Sequence, residues 1–288
     1  MLSMRSLKDL SPQEVGKVRE EVRRLRKEGL SYSRITEIIK EEYGVEISKA
    51  TVMRWCKGES DPLRKVRRTN FESPSLAYVV GVYFGDGSVS LDDRYRYRIR
   101  LKVVEREFAE AFAEALKDIG LRPSLYWEND SSRVGRWVVE AVSKELYMFL
   151  TGPREELFEV AGRWPVEFLR GFFDSEGSVS ISKKNPRKAS ITADNYDKDV
   201  LKLCRDLLEG MGIHSTVYLA RKKGTKVVIR GQEYEYTSDL YRISIHRRSS
   251  VARFAELIGF TILRKQEKLA MFLQEYYSQS SENNYHRK

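Results

Sequence analysis

The first sixty residues carry apolar positions at helical spacing. Valine and leucine side chains over 15–25 recur every three or four residues, which predicts an amphipathic helix. Ser11-Pro-Gln-Glu14 precedes them with the composition of a capping box, in which serine and glutamate bond each other's backbone at a helix start. Serines also precede two similar segments, 32–43 and 49–57. Three short helices with a glycine turn before the last predict a helix-turn-helix domain over 1–60.

Several later segments alternate polar and apolar residues, as a half-buried strand does. The clearest alternation covers 94–103, where the odd positions are apolar or aromatic. Its even positions are all basic: Arg94, Arg96, Arg98, Arg100 and Lys102. Five cations on one strand face repel each other, and a bound polyanion would relieve that repulsion, so we predict a DNA-binding face. Weaker polar faces of the same kind comprise Ser178, Ser180, Ser182, Lys184, Arg242 and Ser244.

Composition narrows the class of protein. Lys and Arg number 52 against 42 Asp and Glu, and this basic excess favours a nucleic-acid partner. Hydrophobic residues at 41% are enough to bury a core. No apolar run reaches the roughly 18 residues of a membrane span, and the N-terminus lacks a signal sequence, so we expect a cytoplasmic protein. A charged fraction of 33% beside only 11 Asn and Gln favours a thermophilic source.

An internal repeat is the strongest feature of the sequence. LAYVVGVYFGDGSVS at 76–90 returns as VEFLRGFFDSEGSVS at 166–180. Each copy predicts a helix with small residues four positions apart, which let two helix backbones come very close. Those small residues are Gly81 and Gly85 in the first copy and Gly171 and Ser175 in the second.

Each copy ends in an acid followed by a glycine. Asp86 and Glu176 are the acids, and we expect the glycines, Gly87 and Gly177, to take the left-handed conformation that caps many helices. Two carboxylates side by side at helix C-termini repel each other and face the negative end of each helix dipole. Divalent cations would supply the missing positive charge.

Residues 79–87 and 169–177 resemble the paired motifs of LAGLIDADG homing endonucleases in their single-chain, two-repeat form. The resemblance extends over about 74–275 and implies an α+β fold. Two pseudo-symmetric αββαββα repeats would form a DNA-binding saddle of antiparallel sheets, preceded by the small all-α helix-turn-helix domain. The chain then divides into the helix-turn-helix domain at 1–60, a basic linker at 61–73, and repeats at 74–165 and 166–280.

The resemblance also implies a set of site residues. Asp86 and Glu176 correspond to the family's metal-binding acids, which hold Mg²⁺, with Mn²⁺ able to substitute. Backbone oxygens of Gly85 and Ser175 would complete the inner ligands. Family members keep a basic residue near each scissile phosphate, for which Lys102 and Lys183 are the candidates, with Lys184 as an alternative to Lys183. Phe84 stands where the first motif usually has an aspartate that Asp174 retains in the second.

The N-terminal region adds further candidate DNA contacts. The segment GVEISKATVMRWCKG at 44–58 resembles the recognition half of resolvase-type helix-turn-helix domains, which implies that Lys49, Thr51 and Arg54 approach DNA. A small helical bundle that only packs on the next domain is the alternative. Four linker cations could follow the phosphate backbone or form a solvated face: Arg64, Lys65, Arg67 and Arg68.

The resemblance implies a site-specific double-strand DNA endonuclease of the intron-homing kind. Such an enzyme acts as a monomer on a long, asymmetric target and hydrolyses phosphodiester bonds with metal ions. Two alternatives reuse the same scaffold: a non-cleaving DNA-binding transcription regulator and an RNA-splicing maturase. Both acids of the pair are present, and this favours the enzyme over the regulator, because repurposed members tend to lose one or both. Nothing in the sequence separates the enzyme from the maturase.

Overall fold

The computed structural model describes residues 4–60, 68–92, 96–130, 133–182, 185, 188–229 and 231–285. Contacts divide the chain into two units, Met1–Thr69 with Ser143–Met148 and Asn70–Val142 with Phe149–Lys288. Six residues predicted to act on DNA lie outside the described residues: Arg64, Lys65, Arg67, Arg94, Lys183 and Lys184. No helix within the described ranges is both long and apolar enough to cross a membrane.

The part of the first unit that precedes Thr69 contains three helices and one pair of very short strands, and the helical segment Ser143–Met148 also belongs to this unit. In chain order its elements are β1 (Arg5–Ser6), α1 (Pro12–Lys27), α2 (Tyr32–Tyr43), β2 (Val45–Glu46) and α3 (Lys49–Lys57). The three predicted helices are confirmed, with fully buried side chains that include Val22, Ile35, Val52 and Trp55. The sequence did not indicate the parallel pairing of β1 with β2.

The start of α1 shows how closely the local sequence determines this unit. The Ser11 hydroxyl accepts a hydrogen bond from the Glu14 amide at 3.2 Å, and the Ser11 amide donates to the Glu14 carboxylate at 2.8 Å. This reciprocal pair confirms the predicted capping box. Ser31 and Ser48 cap α2 and α3 through their hydroxyls in the same way.

The second unit is built from two copies of one arrangement. The first copy comprises α4 (Pro74–Tyr83), β3 (Ser88–Leu91), β4 (Tyr97–Val103), α5 (Arg106–Asp118), β5 (Ser124–Asp130) and β6 (Arg133–Val142). It is followed by α6 (Lys144–Leu150) and α7 (Arg154–Arg163). The second comprises α8 (Pro165–Glu176), β7 (Gly177–Ile181), β8 (Ala189–Asn195), α9 (Lys198–Gly210), β9 (Thr216–Arg221), β10 (Lys226–Ile229), β11 (Gln232–Glu235), β12 (Leu240–Ile245), α10 (Arg248–Leu257) and α11 (Leu263–Tyr285).

Each copy forms a four-stranded antiparallel sheet with the same strand order. The orders are β3-β4-β6-β5 and β7-β8-β12-β9, so the two central strands correspond between copies. One face of each sheet is covered by helices, with α5 packed on the first and α9 on the second. This duplication confirms the predicted fold class. The one extra feature is the separate hairpin β10–β11, which interrupts the second copy between β9 and β12.

The helices α4 and α8 pack against each other with their backbones in near contact. A Cβ atom added at Gly81 would lie 2.2 Å from the backbone oxygen of Phe168, and one at Gly171 would lie 2.3 Å from that of Tyr78. Further along, a Cβ at Gly85 would lie 2.3 Å from the Cβ of Ser175. The predicted close approach at small residues is therefore confirmed, and it leaves no room for any larger side chain.

The prediction that the glycines after the two acids take the left-handed conformation is wrong. Neither Gly87 nor Gly177 has a positive φ, and Gly177 is extended at φ −76° and ψ 144°. Both are required for space, because each chain turns from its helix directly into a strand. A Cβ at Gly87 would lie 2.8 Å from the Val82 oxygen, and one at Gly177 would lie 2.3 Å from the Phe173 oxygen.

Replacing Gly81 by alanine tests this packing. The added methyl group has to push apart two backbones, so we expect Gly81→Ala to lower the free energy of unfolding by about 1–3 kcal/mol in chemical denaturation. Gly162→Ala on α7 is the matched control, since a Cβ there meets nothing within 4 Å and alanine favours the helix by about 0.5–1 kcal/mol. Equal stability of Gly81→Ala and the wild type would show that the helices do not approach this closely.

Candidate functional site

The paired helices bring the two acids to one place. Glu176 is the last residue of α8, whereas Asp86 lies in the turn three residues after α4 ends. The residues just before them, Gly85 and Ser175, face each other across the helix pair. The sequence placed both acids at helix C-termini, and only Glu176 is strictly within its helix.

The environment of the two carboxyl groups disfavours their charged forms. Burial, together with repulsion from the neighbouring carboxylates of Asp86 and Asp194, raises the pKa of Glu176 to about 7. The pKa of Asp86 is also raised, chiefly by desolvation, although the cation of Lys265 opposes the shift. The two acids therefore form one electrostatically coupled site that lacks positive charge.

Lys265 is the cation that most lowers the pKa values of both acids, and its role was not predicted from the sequence. It lies in the first turn of α11 and is only 5% exposed, although lysine is rarely buried. Its ammonium group donates to the backbone oxygens of Asp174 at 2.7 Å and Phe173 at 3.2 Å. Burial lowers its pKa to about 8, against the opposing attraction of Asp174 and the other acids.

Asp174 fixes the position of Lys265 rather than joining the acid pair. Its buried carboxylate accepts hydrogen bonds from the Tyr78 hydroxyl at 2.9 Å, the Thr261 amide at 2.9 Å and the Thr261 hydroxyl at 2.6 Å. These contacts connect α4, α8 and the segment that opens α11. The Asp174 carboxyl has a raised pKa, because burial outweighs these hydrogen bonds.

Two ion pairs connect the repeats at equivalent places. They show which residues at the ends of the two repeats correspond to each other. Arg264 at the start of α11 donates to Glu105 at 2.9 Å, and Arg154 at the start of α7 pairs with Asp197 at 2.7 Å. Glu105 and Asp197 both precede the first residue of the sheet-covering helices α5 and α9. The residue after each arginine is Lys265 in one repeat and Glu155 in the other.

The first repeat therefore has no buried lysine at the position of Lys265. Glu155 is exposed, and Phe84 replaces the aspartate that anchors this region in the second repeat. The Phe84 ring instead packs near Phe158 and the Arg154 guanidinium. A comparison of Thr151-Gly-Pro-Arg-Glu155 with Thr261-Ile-Leu-Arg-Lys265 was the sequence signal that could have identified the lysine.

Strand register locates the predicted basic residues of the sheets. Ser88 pairs with Arg100 and Ser178 pairs with Thr192, so Lys102 and Asp194 occupy equivalent positions two residues further along β4 and β8. Lys102 is ion-paired with Glu128 at 2.6 Å, and Asp194 accepts both arms of Arg242 at 2.5 and 2.6 Å. The second repeat thus has an acid where the first has the predicted lysine.

The basic face of β4 is neutralised by acids from neighbouring segments. Arg96 and Arg98 contact Asp92 at 2.6 and 2.9 Å, and Arg100 donates to Glu140 at 2.9 Å. The apolar positions of β4 are buried as the alternation predicted. The expectation of unrelieved repulsion on the other face is wrong, because Asp92, Glu128 and Glu140 come from segments that the β4 pattern does not contain.

The remaining predicted contacts also have defined positions. Ser178 and Ser180 are exposed on β7, and Ser244 is half-exposed on β12 beside Arg242. Ser182 accepts from the Asn185 amide at 3.2 Å in the turn after β7. In the first unit, Lys49, Arg54 and Arg68 are exposed, whereas Thr51 is half-buried and contacts the hydroxyl of its capping serine, Ser48.

The donor set at the helix ends suits a hard divalent cation. Carboxylate and backbone oxygens are the ligands that Mg²⁺ and Ca²⁺ prefer, and an ion between Asp86 and Glu176 would offset their repulsion. Within the described ranges no three His, Cys, Asp or Glu side chains converge as a metal site. Further ligands would therefore have to come from backbone oxygens, such as those of Gly85 and Ser175, from solvent or from a bound polyanion.

Comparison with known proteins identifies the duplicated unit. The family model described as LAGLIDADG-like domain matches residues 73–150 and 163–259. The uncharacterized protein MJ0398 of Methanocaldococcus jannaschii is 43% identical over 273 residues, which cover 94% of this chain and 98% of that protein. Homing endonuclease I-ApeI of Aeropyrum pernix is 25% identical over 212 residues, covering 68% of this chain and 85% of the endonuclease.

Two solved structures resemble this chain at low sequence identity. I-DmoI in complex with DNA and Mn superposes with a TM-score of 0.46 at 18% identity, covering 66% of this chain and 97% of that chain. Full-length DUF199/WhiA from Thermatoga maritima gives a TM-score of 0.43 at 20% identity, covering 76% and 69%.

The raised pKa of Glu176 predicts how stability depends on pH without divalent metal. A carboxyl with a pKa of about 7 in the folded state and 4.5 as its ordinary value stabilises the fold most below pH 4.5. That contribution is lost as the pH rises through 7. We therefore expect Glu176→Gln to raise the thermal midpoint above that of the wild type at pH 8, by about 2–4 °C per kcal/mol gained.

Millimolar Ca²⁺ at pH 8 should raise the wild-type midpoint and leave Glu176→Gln nearly unchanged. Glu159→Gln, an exposed carboxyl change on α7, is the control that should follow the wild type. A Ca²⁺ response of the same size in Glu176→Gln would show that Glu176 is not a ligand.

Proposed function

Because this chain belongs to the LAGLIDADG family, we propose that it is a site-specific double-strand DNA endonuclease that hydrolyses phosphodiester bonds with divalent cations. The observation that carries the proposal is the intact acid pair, held desolvated at the ends of α4 and α8 beside the buried Lys265. A scaffold that only bound DNA would have no use for two repelling carboxylates at its centre. The name of its relative I-ApeI, a homing endonuclease, supports the same conclusion.

Asp86 and Glu176 would hold the cations, with the backbone oxygens of Gly85 and Ser175 as further ligands. We propose Mg²⁺ as the ion, with Mn²⁺ able to replace it. When bound, the ions supply Lewis-acid stabilisation of the charge that develops on a scissile phosphate. The ordinary charge state of both acids would then be restored, since the cation removes the repulsion that raises their pKa values.

Lys265 would act as the general acid or base of the site. Two of its three ammonium protons are committed to the backbone oxygens of Phe173 and Asp174, and the third would serve in proton transfer. With a pKa of about 8, the amine is mostly protonated at neutral pH and half-protonated near pH 8. It can therefore donate a proton to a leaving oxygen or take one from an attacking water.

The DNA would lie along the polar faces of the two sheets, with sites predicted on β4, β7 and β12. Both repeats are in one chain, so a monomer provides the complete pseudo-symmetric site. The proposed organisation keeps a DNA-binding helix-turn-helix at 1–60, a basic linker at 61–73 and the repeats at 74–165 and 166–280. Lys102 remains a proposed phosphate contact of the first repeat.

Cleavage can be tested without a known target. A large random DNA pool is digested in Mg²⁺ and the new ends are sequenced. We expect recurrent ends with short 3′ overhangs for the wild type and none for Asp86→Asn, which should still bind the recovered sites in Ca²⁺. Lys265→Met should slow cleavage by about 10²–10⁴-fold, the usual contribution of a general acid or base.

The control is Lys268→Met on the same helix. The Lys268 ammonium group donates a hydrogen bond to the Val179 oxygen at 3.2 Å. It should cleave as the wild type does. Normal cutting by Asp86→Asn would reject the site assignment. If no ends recur while the wild type and Asp86→Asn retain the same fragments, the protein is a DNA-binding regulator.

The first unit would add DNA contacts on one flank of the target through α3. Lys49→Ala with Arg54→Ala removes two exposed cations, so we expect weaker binding and a salt dependence reduced by about one unit of slope per lost phosphate contact. The cut position should not move. Arg34→Ala on α2 is the control. Unchanged affinity and footprint of the α3 variant would reject a DNA-binding role for this helix.

A further inference from the structure

The two sheets present different chemistry at equivalent positions of their polar faces. Register gives the correspondence, because Ser88 opposes Arg100 in the first sheet and Ser178 opposes Thr192 in the second. Arg100 and Thr192 are therefore the same position in the two repeats. Arg98 and Ser190 correspond in the same way, and so do Lys102 and Asp194.

The first sheet carries guanidinium groups that are held in place by two carboxylates, and the nearer one to Arg98 is Asp92 at 2.9 Å. Glu140 on β6 accepts from Arg100 at 2.9 Å and lies 3.7 Å from the Arg98 guanidinium. Its side chain is only 18% exposed, against 20% for Arg98 and 29% for Arg100. Both arginines are thus fixed before DNA arrives, which reduces the entropy lost when they bind.

The second sheet carries hydroxyl groups at most of the corresponding positions. Its polar face has one ion pair among the described residues, Arg242 with Asp194. Asp194 lies two residues after Thr192 on β8. The hydroxyl positions of β7, β8, β9 and β12 are Ser178, Ser180, Ser190, Thr192, Thr216 and Ser244, and Arg221 lies on the same face at the end of the edge strand β9, opposite Leu240.

One feature is common to both faces. Tyr126 on β5 and Tyr218 on β9 occupy the same row of their sheets, opposite Val138 and Arg242. They are 41% and 47% exposed, although each is a large aromatic residue on a polar surface. Contacts from these tyrosines would be shared by the two halves, so they do not change the contrast in the remaining positions.

Arginine and hydroxyl groups differ in how strongly they distinguish bases. A guanidinium group pairs with the two acceptors of guanine in the major groove, and such a bidentate contact gives about 1–3 kcal/mol of discrimination. A serine or threonine hydroxyl both donates and accepts, so it can satisfy either kind of base edge. A face of hydroxyls fits DNA closely without demanding one sequence.

We propose that the two repeats read unequal half-sites: the first repeat selects guanines through Arg98 and Arg100, and the second accepts varied sequence through its hydroxyl face. The proposal rests on the proposed DNA-binding function and does not require cleavage. Specificity for the target is then concentrated in the half-site under the first sheet. Asp92 and Glu140 are positioning residues, since they act on DNA only by holding the arginines, Asp92 chiefly Arg98 and Glu140 chiefly Arg100.

The test is selection of duplexes from a random-sequence library by the full-length protein in Ca²⁺, followed by sequencing. We expect one half of the recovered site to carry most of the sequence preference, with guanine at its preferred positions. Arg100→Gln should relax one guanine in that half by roughly ten- to a hundredfold. Thr192→Val, the equivalent change in the second repeat, should alter any base preference by less than about threefold.

Glu140→Gln is a second variant that leaves the arginines in place. It should weaken the preference at the guanine read by Arg100 more than at the guanine read by Arg98, which Asp92 also holds, while general DNA affinity is kept. Equal preference in the two halves, or a loss in Thr192→Val as large as in Arg100→Gln, would overturn the proposal. Recovery of no common sequence would overturn it as well. An unequal site selected by a protein that never cuts DNA would uphold it and reject only the endonuclease activity.

Discussion

The close approach of α4 and α8 is the constraint on which the rest of the structure depends. Gly81 and Gly171 each lie against a backbone oxygen of the opposite helix, and no residue with a side chain fits at either place. This contact brings the ends of both helices together, and the acids Asp86 and Glu176 with them. The same packing removes water from the carboxyl groups, which raises their pKa values. Shape and electrostatics at the site thus have one cause.

The packed helix ends also explain why a lysine is buried nearby. Backbone oxygens in the last turn of a helix lack their full set of partners, and Lys265 donates to two of them at the end of α8, one of which, the Phe173 oxygen, also accepts from the Gly177 amide. The Asp174 carboxylate holds the adjoining Thr261 segment, so the ammonium group has little freedom. A site with two acids and one fixed cation still lacks positive charge. Divalent ions and a bound phosphate backbone together would balance it.

Much of this arrangement could be predicted from local sequence. Serine caps, glycine spacing and strand alternation each depend on residues within a few positions of one another, and the repeat aligned both acids. Long-range partners could not be predicted in this way. Lys265 is 91 positions from Asp174, and Glu140 is 40 from Arg100. The left-handed conformation predicted for Gly177 was wrong for a similar reason. A glycine required because no Cβ atom fits and a glycine required for a positive φ look the same in a sequence.

The duplication shows where the fold permits the two copies to differ. Positions in the helix contact stay small in both copies, since a larger side chain there would separate the backbones. The sheet faces meet no such limit, and Arg100 in one repeat corresponds to Thr192 in the other. The start of the last helix is equally free, with Glu155 exposed where Lys265 is buried. Symmetry of the backbone therefore does not impose symmetry of chemistry, and an asymmetric partner such as a non-palindromic DNA duplex is what such a chain is suited to bind.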